Sequence, residues 1–165
     1  MDPLSGAWEE HAILLALRFR PNVGQLEIFE MTLDQTRGTG PFERALAAQE
    51  NASQVGFDWP DISGVFEKLD EEIAEIKAAI DADDGRHAKR ELGDLLFTVV
   101  NLSRFLNADP VRELNAATET FLDRFLHLQT ELQRTNRRIE DCSLGELDVV
   151  WEQVKKSASF AQKKA

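Results

Sequence analysis

Two helical stretches parted only by Asp83-Asp84-Gly85 constrain this chain more than any other feature of its sequence. The first opens at Asp61, a side chain suited to accept from the free N–H groups of a helix start, and runs to about Ala82. Its residues Val65, Leu69, Ile73, Ile76 and Ile80 recur at helical spacing and mark a stripe that should face a core. The second runs from about Arg86 to Leu106. Leu92, Leu95, Leu96, Val99, Val100, Leu102 and Leu106 cover one broad side of it, and Phe97 and Phe105 extend the apolar surface round the other. Such a helix is expected to be central and buried. A break this short between two long helices makes them antiparallel neighbours.

Carboxylates interrupt both apolar faces. At about 100° per residue, Glu72 falls inside the first stripe, three residues after Leu69 and four before Ile76. Glu75 flanks that stripe, and Glu71 points away from it toward solvent. On the second helix Glu91, Asp94, Thr98 and Asn101 form one polar line. Gly93, inside that helix, costs about 1 kcal/mol against alanine, which a close neighbour, helix or ligand, would explain. A carboxylate within an apolar stripe is unfavourable unless paired, protonated or bound to metal. Two antiparallel helices, each offering acids at i and i+3, bring four of them together, and a hard divalent cation with oxygen ligands relieves the repulsion. The alternative is a solvated face with charge pairs such as Lys68 with Glu72 or Glu71 with Lys77. That alternative suits Glu67 and Glu71 better than it suits Glu72, Glu75, Glu91 and Asp94.

The remaining signals are also helical from Pro41 onward. Pro41 opens a short alanine-rich helix, and Gly56-Phe57-Asp58-Trp59-Pro60 breaks it. Asp109-Pro110 opens a long helix to about Arg137. Ser143-Leu144-Gly145-Glu146 has the form of a capping box and opens a last helix through Trp151 and Lys155. Residues 157–165 are expected to fray. Residues 1–40 differ from the rest: two runs around Pro21-Asn22-Val23-Gly24 fit a β-hairpin or a short helix, and the segment reads as an extension or linker remnant. The chain of 165 residues suits one domain with a modest core. Its formal charge of −11 argues against non-specific nucleic-acid binding. A single cysteine, Cys142, excludes an intrachain disulfide, fits a reducing cytosol and is expected to be inert. No secretory signal and no membrane span are expected, which points to the cytoplasm.

Glu71-Glu72-Ile73-Ala74-Glu75 followed by Glu91-Leu92-Gly93-Asp94 resembles the E-E-x-x-E … E-x-x-D signature of MazG-type all-α nucleoside triphosphate pyrophosphohydrolases. Val55-Gly56-Phe57-Asp58-Trp59, Val100-Asn101-Leu102-Ser103-Arg104-Phe105-Leu106 and Val150-Trp151-Glu152-Gln153-Val154-Lys155 are similar to further segments of that family's C-terminal catalytic domain. The resemblance covers roughly residues 41–156. It implies an antiparallel helical bundle that hydrolyses a nucleoside triphosphate between the α- and β-phosphates, giving a monophosphate and pyrophosphate, with the clearing of non-standard nucleotides as one role. It implies Mg²⁺, with Mn²⁺ as a substitute, on Glu72, Glu75, Glu91 and Asp94, which are then both catalytic and metal-binding. It implies substrate contacts from Arg124, Trp151 and Lys155, and a homodimer or dimer of dimers whose subunits complete each other's sites.

Each of those three substrate-contacting residues has a plainer reading. Trp151 suits a core, Lys155 a solvated surface, and Arg124 an ion pair with Glu119 or Asp123. Phe57 and Trp59 read as packing residues, and His11, His87 and His127 as surface or core positions. Thr118 and Thr120 stand where the family carries Asn and Lys, which removes a positive charge expected near phosphates. That departure supports a second functional reading, a nucleotide-binding or interaction module with impaired turnover.

Overall fold

A computed structural model describes the backbone of residues 40–162 and the side chains of residues 40–157. The hairpin or helix expected before Gly40 lies outside the described residues. All regular structure described is helical: α1 (Pro41–Gln54), α2 (Ile62–Asp81), α3 (Gly85–Phe105), α4 (Pro110–Arg134), a 3₁₀ turn (Ile139–Asp141) and α5 (Leu144–Gln162). The all-α expectation is met. None of these helices is long and apolar enough to cross a membrane. The chain forms two compact units, one ending at Pro110 and one beginning at Val111.

In the first unit, α2 and α3 pack along each other and α1 packs on α3. The Asp61 carboxylate accepts from the Ser63 N–H at 2.8 Å and so starts α2 as expected. The turn into α3 places Asp83, not a glycine, in the left-handed region at φ 55°. Short polar side chains tolerate that conformation. Asp84 then caps α3 by accepting from the His87 N–H at 3.0 Å. Gly56 takes φ 85° where the chain leaves α1. The turn that follows is pinned to α3: the Arg104 guanidinium pairs with the Asp58 carboxylate through both its terminal nitrogens. The same guanidinium also donates to Asn101 Oδ1 at 2.9 and 3.1 Å. Trp59 lies against Gly64 so closely that a Cβ there would collide with the indole. Phe57, by contrast, is 55% exposed and does not pack as expected.

The burial pattern meets the expectation from periodicity only in part: Val65, Glu72 and Val100 are inside as expected, and Leu69, Ile76, Leu95 and Leu102 are half-buried. On α2 the buried residues are Val65, Glu72 and Ala79, and on α3 they are Glu91, Thr98 and Val100. Ile73 and Ile80 on α2, and Leu92, Leu96, Phe97, Val99 and Leu106 on α3, are exposed. The interface of this hairpin therefore runs along its polar line, and much of its apolar surface faces outward within the single chain. Among the described residues a Cβ built at Gly93 would meet nothing within 4 Å, so no other helix of this chain makes the close approach.

The second unit closes over Leu128, Leu132 and Val154, with Ile139, Cys142, Leu147, Val150 and Trp151 packed against them. The expected capping box forms. Ser143 N–H donates to Glu146 Oε2 at 2.9 Å, and the Glu146 N–H reaches Ser143 Oγ at 3.4 Å. Arg137 adds a bond to Glu146 Oε1 at 2.5 Å. The helix α5 continues past Lys155 to Gln162, through part of the stretch expected to fray.

Candidate metal centre

Glu72 reaches the α2–α3 interface because it lies seven residues, nearly two full turns, from both Val65 and Ala79. Glu91 and Asp94 reach it from α3, one turn apart on the same line as Thr98. One carboxylate oxygen from each of Glu72, Glu91 and Asp94 lies within 4.8 Å of the other two. Glu72 is 2% exposed and Glu91 4%, whereas Asp94 is open to solvent. Glu75 lines the same concavity without joining that tight trio. The space measures about 590 Å³ and is also walled by Lys68, Glu71, His87, Arg90, Phe97 and Thr98.

Positive groups balance part of this charge. The Lys68 ammonium bridges Glu71 Oε1 at 3.1 Å and Glu72 Oε1 at 2.5 Å. His87 Nε2 and Arg90 both meet Glu91 Oε1 at 2.7 Å. Glu72 Oε2 is buried and has no hydrogen-bond partner. Burial pushes the Glu72 carboxyl above the usual range; Lys68 opposes that shift, and the charges of Asp94 and Glu91 add to it. Burial also raises Glu75, reinforced by Glu91 and Glu72. Burial works the same way on Glu91, but the hydrogen bond and charge of Arg90, with His87, outweigh it and hold Glu91 low. An orphaned buried carboxylate oxygen among converging acids is a donor set suited to a hard divalent cation. The residues present therefore fit a hard divalent cation.

Several side chains belong to this concavity that spacing alone does not single out. Glu71, expected in solvent, is only partly exposed and shares Lys68 with Glu72. His87 is no bystander: four residues before Glu91, it lies one helical turn away and pairs with that carboxylate. The same spacing links Lys68 to Glu72 and is visible in the sequence.

Arg124, Trp151 and Lys155 all lie in the second unit. Trp151 is half-buried on the core cluster and packs its ring against Phe121 at 5.5 Å. It lines a pocket of about 220 Å³ together with Phe121, Phe125, Leu128, Ile139, Leu147 and Asp148. Lys155 pairs with Glu152. Arg124 forms no ion pair among the described residues, so neither Glu119 nor Asp123 takes it up. The Thr118 and Thr120 hydroxyls donate to the carbonyls of Leu114 and Ala116, each at 2.8 Å, four residues back on α4.

Residues 62–127 match the family model of the MazG nucleotide pyrophosphohydrolase domain. Among curated proteins, the chain is 48% identical over 107 residues to the nucleoside triphosphate pyrophosphohydrolase/pyrophosphatase MazG of Thermotoga maritima. That match covers 65% of this chain and 41% of the relative. The chain is 32% identical over 127 residues to the nucleoside triphosphate pyrophosphohydrolase of Escherichia coli, covering 74% of this chain and 48% of the relative. It thus spans less than half the length of either.

Proposed function

With residues 62–127 carrying a MazG nucleotide pyrophosphohydrolase domain, we propose that this chain hydrolyses nucleoside triphosphates to a monophosphate and pyrophosphate in a Mg²⁺-dependent reaction. The observation that carries this reading is the trio Glu72, Glu91 and Asp94, with its buried and unpartnered Glu72 Oε2. In this reading those three hold the metal, and Glu75 supplies a fourth carboxylate from the same wall. A divalent ion bound there neutralises triphosphate charge, polarises phosphorus and makes a bound water more acidic. The protein's own part is to hold the carboxylates in place: the helix hairpin fixes them, and Lys68, Arg90 and His87 limit their mutual repulsion. Arg124, Trp151 and Lys155 are proposed as substrate contacts. Mn²⁺ is expected to substitute, as an oxygen-preferring ion of the same charge.

A second copy of the chain is proposed to cover the exposed apolar face of α2 and α3. Leu92 at 49% and Leu96 at 48% exposure, with Ile73, Ile80 and Val99, are more than scattered surface hydrophobics. A nucleotide-binding module with impaired turnover is the second reading. What favours it is that Thr118 and Thr120 turn their hydroxyls onto their own helix, at positions where the resemblance implies an Asn and a Lys.

Pyrophosphate release from a panel of standard and modified nucleoside triphosphates with Mg²⁺ tests the proposal, run beside Asp94→Asn. Release that disappears in the variant is expected. No release from any substrate, with nucleotide still bound, would replace hydrolysis by the second reading.

A further inference from the structure

The carboxylate of Glu72 is shared between two claims. Its Oε1 accepts from Lys68 at 2.5 Å, its Oε2 is buried without a partner, and one of its oxygens lies within 4.8 Å of oxygens of Glu91 and Asp94. We propose that Lys68 is a tethered counterion which competes with the divalent cation for Glu72, so that metal entry drives the ammonium off this carboxylate. The inference rests on the reading of Glu72, Glu91 and Asp94 as a metal centre. Three features support it. Lys68 has a second partner to fall back on, Glu71 at 3.1 Å. Its side chain is 27% exposed and lines the concavity, so a long flexible stem can carry the charged head into water. Glu72 is 2% exposed, and a buried anion without a counter-charge is strongly disfavoured, so some cation is needed there at all times. A divalent ion held by this carboxylate and an ammonium on the same carboxylate would repel each other, where screening by solvent is weak. The Lys68–Glu72 contact therefore stabilises the protein before metal binds and opposes metal binding.

The test is a Mn²⁺ titration of the full chain after chelator treatment, following free Mn²⁺ by electron paramagnetic resonance. Lys68→Met is expected to bind Mn²⁺ roughly tenfold tighter, the equivalent of one partly exposed charge-assisted hydrogen bond. Lys68→Arg, which keeps the charge, should stay near the wild-type affinity. Unchanged or weaker binding in Lys68→Met would overturn the proposal, weaker binding indicating that Lys68 orients Glu72 for the ion. Wild-type protein that binds no Mn²⁺ would overturn the metal centre itself and this inference with it. A measurement on wild-type protein guards against misfolding of the variant. Mn²⁺ should increase acylation of Lys68, read by mass spectrometry against the exposed Lys89; no increase refutes the displacement.

Discussion

Replacing Glu72 by glutamine should make the metal-free protein more stable. Glu72 is nearly fully buried, one of its oxygens has no partner, and two further acids present oxygens within 4.8 Å. An unsatisfied buried acceptor costs about 1–3 kcal/mol. The glutamine amide removes the charge and supplies a donor that can face Glu91 and Asp94. Against that gain, the ion pair with Lys68 becomes a hydrogen bond to a neutral acceptor, a loss of about 1 kcal/mol. The balance favours Glu72→Gln by about 1 kcal/mol, equivalent to a Tm rise of roughly 2–4 °C for a chain of this size. Thermal unfolding with and without Mg²⁺ provides the assay. Wild-type protein should gain about 2.7 kcal/mol at an ion concentration a hundredfold above Kd, and the variant should lose most of that response. A variant that melts lower than wild type without metal, yet still responds to Mg²⁺, would show that Glu72 is a structural acid and would refute this reasoning.

Two other changes probe separate parts of the molecule. Glu146 is held down to about 2, first by the Ser143 backbone and hydroxyl and then by Arg137. Because its folded-state pKa lies below its ordinary value, its contribution to stability is present above about pH 4.5 and fades as pH falls toward 2. The gap in Tm between wild type and Glu146→Gln should therefore narrow steadily across that window, and a constant gap would remove the cap from the explanation. Leu96→Glu introduces a charge on the exposed apolar face of α3. Light scattering should find a dimer for wild type and the ~18.6 kDa chain alone for the variant; an unchanged mass in both would assign that face another role.

The hairpin is legible in the sequence because its signals are local. Asp61 is a helix start, the short break at Asp83-Asp84-Gly85 makes α2 and α3 antiparallel neighbours, and the i, i+3 spacing of Glu91 and Asp94 keeps both on one line. Side chains that act through pairing are harder to place. Lys68 with Glu72 satisfies the spacing of a surface ion pair, and such spacing by itself marks a solvated face; the pair exists, but its acidic member is buried. His87 has no other histidine or cysteine near it in sequence to suggest a role, although its distance to Glu91 is one helical turn. Phe57 reads as a packing residue yet stays 55% exposed.

The largest departure concerns which face of the hairpin is inside, and it has one physical origin. Periodicity identifies an apolar stripe but does not say whose atoms cover it. Here the buried residues of α2 and α3 are Val65, Glu72, Ala79, Glu91, Thr98 and Val100, a set that mixes carboxylates with small apolar side chains where a core would ordinarily place leucine. A set of that kind contributes little hydrophobic stabilisation, since each buried carboxylate disfavours the folded state unless a cation meets it. Several of the isoleucines and leucines that could offset this cost are on the outside, at 63% exposure for Ile80 and near one half for Leu92 and Leu96. On the proposed reading, two contributions add to the stability of this hairpin: a cation at the acidic trio and a second copy on its outer apolar face. Removing Mg²⁺ and weakening the outer contact should act on the same folding equilibrium. The free energy gained from Mg²⁺ should accordingly be the same in Leu96→Glu as in wild type, and an unequal gain would mean that the two faces are energetically coupled.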